Sequence, residues 1–357
     1  MAGKTTEEIS FALEELFARH GYRKYCMTRF EEYSFYIENK NFLNSDRFIT
    51  FNDVDGKLMA LKPDISLSIA KNLSGGRDRV YYNESVFRVD TGGFKELRQT
   101  GLELIGEVGP AETIEVLLLA LLSLGQMGRR YVLNISHMGY ITGVIEELGL
   151  SAADRLAALS FVKAKSRHGL IDFLKSRGVD EDKICSDEIN TLFKSGDIES
   201  MLGGIPAHNE ALKAAVAELE RVCGAFRGTE FADRIRIDFS FVSDTEYYNG
   251  LLFSGFIDGA ADAVLTGGRY DHLLKKLGKK AENALGFAVG YKELGRLFGG
   301  APEGEYTLLL CDEKTDTQKA LSLLLELEKR GERVICAASV PSDRKIKKII
   351  KVGEDNA

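Results

Sequence analysis

The sequence predicts an α+β fold in which helices flank an antiparallel sheet, with a helical insertion and a short C-terminal β-α-β unit. Three observations support this fold. Runs at 80–89 and 97–105 alternate with the period of half-buried strands and are joined by a glycine-containing connection. Residues 151–227 have uninterrupted helical, charged character. From residue 306 onward a strand, a helix and a strand follow in turn.

The first elements are a helix and a small hairpin. Thr5 or Thr6 caps a helix that has acidic residues in its first turn and ends at Gly21. The segments 48–52 and 58–61 flank an Asp-Gly pair, which is typical of a tight hairpin turn. The intervening sequence mixes aromatic and charged residues without a clear period, so its structure is not predicted.

Asp64 follows Pro63 and has two interpretations. Its position before an apolar stretch suits the N-cap of a helix that runs to about Leu73. A carboxylate at this place could equally contribute to a ligand site. The local sequence leaves both interpretations open.

The later elements are predicted from hydrophobic periodicity and from helix-capping residues. A buried helix is predicted over 110–127, a strand over 129–136 and a helix over 138–148. The sheet resumes at 234–242, where apolar residues again alternate with charged ones. Gly267 and Gly268 would allow the backbone to approach a ligand, but such a pair is usually only a turn and is interpreted as one. A helix is predicted over 291–298.

Composition restricts the class of protein. The chain has 357 residues, 44% hydrophobic and 28% charged, which suits two or three globular domains. A net charge of -7 argues against non-specific binding to nucleic acid. The five cysteines are scattered without C-x-x-C spacing, so neither a disulfide framework nor zinc is expected. A cytoplasmic location without export or a membrane span fits best.

The predicted hairpin at 79–106 presents a candidate ligand site. Gln99, Gly101 and Glu103 share one face of its second strand because side chains alternate across a sheet. An amide and a carboxylate on either side of a glycine suit a small ligand that carries an amine, and a solvated sheet face is the alternative. Tyr247 and Tyr248 direct at least one hydroxyl toward whatever their turn faces.

Other catalytic signatures are lacking in the sequence. His137 has no serine, cysteine or second histidine at a spacing that indicates a triad or metal set, so a structural role is expected. No phosphate-binding glycine loop is present. The sequence therefore predicts no catalytic residues, no metal and no cofactor.

Five ordered blocks resemble the catalytic domain of class II histidyl-tRNA synthetases. They are LKPDIS, VFR with RQTGLELIG, FVSDTEYYNGLLF, TGGRYDHLLKKLG and ALGFAVGYKEL. The resemblance implies an antiparallel sheet of six or seven strands flanked by helices, in a dimeric protein. It also implies three parts: a class II catalytic-type domain at 1–150 and 228–300, a helical insertion at 151–227, and an abbreviated α/β domain at 301–357.

Within that resemblance, cationic groups needed for amino-acid activation are missing. Arg88 matches the first arginine of the second family motif. Glu293 stands at the arginine of the third motif, and Ser243 at the arginine that assists histidine activation, in the tetrad 243–246. Because each such cation is commonly worth about 2 to 4 kcal/mol in the transition state, we expect no synthetase activity.

The groups that hold histidine are better retained. Gln99, Glu103 and Tyr247 match the family, while Asp64 and Ser66 stand where it has a glutamate and a threonine. With Arg88 and Tyr248, they make up the candidate histidine pocket. This pattern resembles the regulatory subunit of ATP phosphoribosyltransferase, a synthetase paralogue.

That second resemblance implies the partners. They are a short catalytic subunit, in a hetero-oligomer that contains a homodimer of this chain, and histidine as feedback effector of the first step of histidine biosynthesis. Neither a membrane nor tRNA is expected as a partner, although a basic KIKKIIK segment lies near the C-terminus. Thr28 replaces the proline of the first family motif, which weakens the implied dimer contact. The alternatives are a divergent histidyl-tRNA synthetase or other amino-acid-activating enzyme, and an amino-acid sensor of another enzyme.

Overall fold

The computed structural model describes residues 4–43, 47–73, 77–90, 92–243, 247–280, 283–299, 305–313, 315–342 and 344–352. The chain divides into two compact units. The larger is Thr6–Leu297, and the smaller contains Phe298–Ala357. None of the helices described is long and apolar enough to cross a membrane.

The secondary structure of both units is as follows. The strands are β1 (Arg23–Lys24), β2 (Phe30–Glu32), β3 (Thr50–Asn52), β4 (Leu58–Leu61), β5 (Asp78–Asp90), β6 (Gly93–Gly106), β7 (Tyr131–His137), β8 (Ser195–Asp197), β9 (Ile235–Asp238), β10 (Leu251–Ile257), β11 (Leu265–Arg269), β12 (Asn283–Gly290), β13 (Tyr306–Leu310), β14 (Val334–Ala337) and β15 (Ile346–Lys351). The helices are α1 (Thr6–Arg19), α2 (Tyr33–Glu38), α3 (Ile65–Asn72), α4 (Pro110–Gly125), α5 (Met138–Glu146), α6 (Ala152–Lys163), α7 (Arg167–Ser176), α8 (Glu181–Ile184), α9 (Asp187–Thr191), α10 (Ile198–Met201), α11 (Glu210–Gly224), α12 (Asp271–Lys276), α13 (Tyr291–Phe298) and α14 (Thr317–Lys329). Short 3-10 turns lie at Lys40–Phe42 and Ala232–Arg234.

A large sheet forms the centre of the first unit. Among the described residues it has nine strands in the order β1-β5-β6-β12-β11-β10-β7-β9-β8. Pairing is antiparallel from β5 to β7, and parallel between β1 and β5 and between β7 and β9. The predicted α+β class is therefore confirmed, with parallel pairs toward the two edges of an antiparallel centre.

The predicted hairpin at 79–106 is formed by β5 and β6. These strands pair in register from Asp78 opposite Ile105 to Asp90 opposite Gly93. Alternation separates the two faces of β6: Gln99 and Glu103 lie on one side, and the buried side chains of Leu102 and Leu104 lie on the other. The hairpin formed by β3 and β4 is also confirmed.

The insertion is less uniformly helical than its sequence predicts. Residues 152–224 contain α6–α11, but β8 interrupts them and pairs antiparallel with β9, so that Gly196 lies opposite Ile237. A strand of three residues is too short to produce a recognisable period. Elsewhere in the insertion, the His208 imidazole lies between two carboxylates, with Nδ1 2.8 Å from Glu188 and Nε2 2.9 Å from Glu147.

The interpretation of Gly267 and Gly268 as a turn is wrong. Both lie inside β11, where Gly268 pairs with Leu252 on one side and with Gly286 on the other. A Cβ on Gly268 would lie 2.6 Å from the Leu251 carbonyl oxygen and 2.6 Å from a ring carbon of Tyr248. Close packing over the strand therefore requires glycine here.

The second unit is a small parallel sheet with one helix. In the part that the structure describes, the strand order is β14-β13-β15, with α14 connecting β13 to β14. The strand-helix-strand prediction is confirmed. The basic KIKKIIK segment, for which the sequence predicted no structure, supplies β15 on the other side of β13.

Candidate functional site: a polar cavity on the central sheet

All seven residues that the sequence singles out as pocket candidates line one cavity of about 120 Å³. They are Asp64, Ser66, Arg88, Gln99, Glu103, Tyr247 and Tyr248. Two strands and a helix position most of them. Gln99 and Glu103 project from the same face of β6, Arg88 extends from the neighbouring β5, and Asp64 and Ser66 lie at the start of α3. The sheet period and a helix N-terminus thus bring together residues that are distant in sequence.

Glu103 lies at the bottom of this cavity. Only 1% of the residue is exposed, and its two oxygens accept hydrogen bonds from the hydroxyls of Ser66 and Tyr270, the latter at 2.6 Å. Burial raises the pKa of Glu103 from 4.5 to about 8; the two hydroxyl donors oppose this shift, and the nearby Asp64 carboxylate adds to it. A cationic ligand group beside Glu103 would therefore favour its ionised form.

The N-cap interpretation of Asp64 is confirmed, and the ligand-site interpretation stays a prediction. Its Oδ1 accepts the backbone N–H of Leu67 at 2.8 Å and so caps α3, while the residue also lines the cavity. Burial raises the pKa of Asp64, and the Leu67 N–H and the Arg88 guanidinium oppose that shift. The cavity thus holds two acidic groups and one basic group close together.

Gly101 does not provide room for a ligand, contrary to the expectation from sequence. A Cβ at this position would lie 2.5 Å from the hydroxyl oxygen of Tyr82 on the paired strand. The ring of Tyr82, which is 1% exposed, therefore occupies the space beside Gly101. Gln99 and Glu103 still face the cavity, but a tyrosine lies between them.

Sequence reasoning missed two contributors to the cavity floor. Tyr270 donates its hydroxyl to Glu103, and Gly286 on β12 lies opposite Glu103 in the sheet register. A side chain on Gly286 would collide with the Glu103 carboxylate. Tyr270 directly follows the Gly267–Arg269 segment; because that segment is a strand and not a turn, it positions the Tyr270 side chain at the cavity floor.

Tyrosines form the apolar wall. Tyr247 packs against Tyr248 with ring centroids 4.8 Å apart and against Tyr270 at 5.3 Å. Burial and the neighbouring carboxylates raise the pKa of Tyr82, Tyr247, Tyr248 and Tyr270, so their hydroxyls remain protonated donors at neutral pH. The wall therefore combines ring faces with O–H donors.

Ser243 and Glu293 occupy the two positions where the resemblance implies that arginines are missing, and only Ser243 lines the cavity. Ser243 lines the cavity, whereas residues 244–246 of its tetrad lie outside the described residues. Glu293 on α13 accepts the backbone N–H of Ala261 at 3.0 Å and pairs with Arg296 at 3.0 Å. These donors hold the pKa of the Glu293 carboxyl below its usual range. Position 293 therefore carries a stable negative charge where the resemblance expects an arginine.

His137 has structural contacts. Its Nδ1 accepts the backbone N–H of Tyr140 at 3.2 Å and caps α5, and its Nε2 lies 3.0 Å from Glu218. Across the described part of the chain, no group of three or more histidine, cysteine or acidic residues could hold a metal ion.

The sheet order and the cavity on its face define the class as α+β proteins with a class II aminoacyl-tRNA synthetase-like fold. A family model described as histidyl-tRNA synthetase matches residues 2–294. The chain belongs to the histidyl-tRNA synthetase family. The resemblance seen in the five sequence blocks is thereby confirmed.

Relatives within this family carry two names. A protein of Methanocaldococcus jannaschii named histidine–tRNA ligase is 27% identical, with 96% of this chain and 86% of the relative covered. A protein of Desulfitobacterium hafniense named ATP phosphoribosyltransferase regulatory subunit is 29% identical, with 81% of this chain and 76% of the relative covered.

Solved structures show the same fold. One from Bacillus halodurans, named an ATP phosphoribosyltransferase regulatory subunit/histidyl-tRNA synthetase, has a TM-score of 0.79 at 22% identity and covers 97% of this chain and 93% of its own. A chain from the ATP phosphoribosyl transferase (HisG:HisZ) complex of Thermotoga maritima has a TM-score of 0.60 at 16% identity. The match covers 80% of this chain and 97% of the Thermotoga maritima chain.

Proposed function

We propose that this chain is a non-catalytic regulatory subunit of ATP phosphoribosyltransferase, which acts with a short catalytic subunit in the first step of histidine biosynthesis and mediates feedback by histidine. The observation that carries the proposal is an amino-acid-sized polar cavity lined by the retained pocket residues, with Ser243 and Glu293 at two positions where the synthetases have arginines. The names of several relatives and of the Thermotoga maritima complex support the same assignment.

The chemistry of the cavity suits histidine. Asp64 and Glu103 attract the α-amino group or a protonated imidazole, and Arg88 pairs with the α-carboxylate. Gln99 offers both an amide donor and an acceptor. Tyrosine rings on the wall pack against the flat imidazole, and their hydroxyls donate to it.

Synthetase activity is not part of the proposed function. Adenylation requires cations that stabilise the phosphates in the transition state, and Ser243 supplies none. The Glu293 carboxylate would repel a nucleotide phosphate, and its pairing with Arg296 also occupies a nearby cation. Glu103 and Gln99 therefore bind an amino acid without activating it.

The proposed partners follow from the same assignment. This chain forms a homodimer within a hetero-oligomer with the short catalytic subunit, in the cytoplasm, and has no role with tRNA. The net charge of -7 supports the absence of a role with tRNA, because binding to the tRNA phosphates is stabilised by a basic protein surface.

Mixing tests the proposal directly. Purified chain added to a short-form catalytic subunit should form a complex in size-exclusion chromatography and raise phosphoribosyltransferase activity, and histidine should inhibit the mixture. Lack of both complex formation and activation would disprove the regulatory assignment.

The pocket is tested by matched variants on one strand. Glu103→Gln or Gln99→Ala should weaken histidine inhibition of the mixture while the complex still forms. Glu96→Gln makes the same chemical change at an exposed residue of β6 and serves as the control. Unchanged inhibition in both pocket variants would place the effector elsewhere, for example on the catalytic subunit.

A divergent histidyl-tRNA synthetase is the second candidate, supported by the Methanocaldococcus jannaschii relative with that name. It requires histidine-dependent exchange of pyrophosphate into ATP. We expect no exchange above background, measured beside an authentic synthetase. Exchange that disappears in Glu103→Gln would support the synthetase and contradict the proposal.

A further inference from the structure

A second, larger cavity of about 510 Å³ borders the first one on the same sheet. Ser243, Tyr248 and Thr266 line both. We propose that this second cavity binds a phosphorylated small molecule, with the phosphate held by Lys163 and Lys165 of the insertion. The inference goes beyond the proposed function, because neither the mixing assay nor the histidine pocket depends on it.

The floor of the second cavity is a polar row across three strands. Thr266 on β11 lies opposite Ser254 on β10, which lies opposite Asn134 on β7. On the other side, Thr266 pairs with Ala288, which lines the first cavity. All of these side chains project from one sheet face because residues directly opposite each other in a ladder point the same way. The row therefore gives hydroxyl and amide groups to a ligand on this face.

The hydroxyl of Ser254 is a hydrogen-bonding group of the floor that the described protein residues leave unused. The residue is 0% exposed, and its hydroxyl has no hydrogen-bond partner among the described residues. A buried hydroxyl without a partner is unfavourable, so such groups in native structures call for a specific explanation. Because Ser254 lines the cavity, a ligand oxygen is a suitable partner for it.

Lys165 occupies a backbone conformation that normally favours glycine. With φ 54°, it follows the C-cap of α6, and the next N–H, of Ser166, returns to the Phe161 carbonyl at 2.9 Å. This is the Schellman arrangement, in which glycine is usual at the left-handed position. A lysine there costs about 1 kcal/mol relative to glycine. The strain indicates that the side chain has a role that glycine cannot fill.

The Lys165 ammonium has donors to spare. Its Nζ donates to Asp238 Oδ2 at 2.9 Å, and the other Asp238 oxygen accepts from the backbone and the hydroxyl of Ser240. An ammonium has three N–H donors, so a ligand can take the remaining ones. Lys163 lines the same wall, so the ammonium groups of two lysines border the cavity. A phosphate that contacts both lysines would gain charge-assisted hydrogen bonds.

The size and lining of the cavity define the rest of the ligand. A bare phosphate would fill only a small part of about 510 Å³. Leu252, Phe256 and Val242 provide apolar surface beside the polar row. A phosphate attached to an organic body, such as a sugar phosphate, therefore fits better than the free ion.

Isothermal titration of the full chain tests this inference. Ribose 5-phosphate, pyrophosphate and inorganic phosphate are the probes, and ribose is the uncharged comparison. We expect ribose 5-phosphate to bind most tightly and ribose not to bind. In the double variant Lys163→Gln/Lys165→Asn the affinity should fall at least about tenfold, since each charge-assisted hydrogen bond contributes on that scale. Asparagine tolerates the left-handed backbone at position 165.

Two further variants keep the test decisive. Lys175→Gln removes the same charge from an exposed lysine of α7 outside the cavity and should leave binding unchanged. Ser254→Ala loses no hydrogen bond in the free protein, so it should fold normally yet weaken binding. If none of the three phosphates binds, or if affinity survives both the lysine double variant and Ser254→Ala, the inference is wrong. These outcomes are independent of the mixing assay.

Discussion

Replacing Glu103 by glutamine should change how the stability of this protein depends on pH. Burial raises the pKa of Glu103 from 4.5 to about 8 in the folded protein. Below pH 4.5 the group is protonated in both states, and above pH 8 it is ionised in both. Between these limits the folded protein keeps a proton that the unfolded chain has released, so stability falls as pH rises. Glutamine does not titrate and removes this fall.

The magnitude follows from the pKa interval. From pH 5.5 to pH 8 the wild-type protein should lose about 3 kcal/mol relative to Glu103→Gln, at about 1.4 kcal/mol per unit. Ser66 and Tyr270 both donate to Glu103, and an amide has one acceptor oxygen, so the variant also loses about 1 kcal/mol at every pH. That constant loss does not affect the slope.

Urea unfolding at pH 5.5, 7 and 8.5 measures the difference. The sequence contains no tryptophan and thirteen tyrosines, so the summed tyrosine fluorescence follows global unfolding. Glu293→Gln is the control: donors from Ala261 and Arg296 lower the pKa of that carboxyl below 4.5, so its contribution to stability is constant from pH 5.5 to 8.5 and is lost only on further acidification. A stability difference between Glu103→Gln and wild type that varies by less than about 1 kcal/mol over this range would refute the reasoning.

Two further predictions concern packing and charge. Gly286→Ala should destabilise the protein by about 3 kcal/mol in urea unfolding and abolish histidine binding in calorimetry, because the new methyl group collides with the Glu103 carboxylate. Gly290→Ala on the same strand meets no atom within 4 Å and should fold normally; equal destabilisation by both would contradict this. The imidazole of His208, between its two glutamates, should titrate by NMR above its usual pKa of 6.5, since both carboxylates favour the charged form. A midpoint at or below 6.5 would contradict that pairing in solution.

Most of the fold was predictable because it depends on local periods. The alternation in β5 and β6 fixed which residues share a face, and the helix-start signal at Asp64 correctly predicted a cap. The strand at 195–197 and the third strand of the small unit escaped prediction. One is too short for a period, and the other is a basic run whose partner strand lies elsewhere in the sequence.

The sequence by itself determined which side chains come together as the polar lining of the cavity. Gln99 and Glu103 on one strand face follow from alternation, and Ser243 and Glu293 in place of cations follow from the order of the blocks. Only the tertiary structure decided what surrounds these groups. It puts Tyr82 beside Gly101, where sequence alone suggested an open cradle. It also buries Glu103 beneath Tyr270 and against Gly286, which raises the pKa of Glu103. Burial and cross-strand neighbours arise from residues far apart in the chain, so no local pattern contains them.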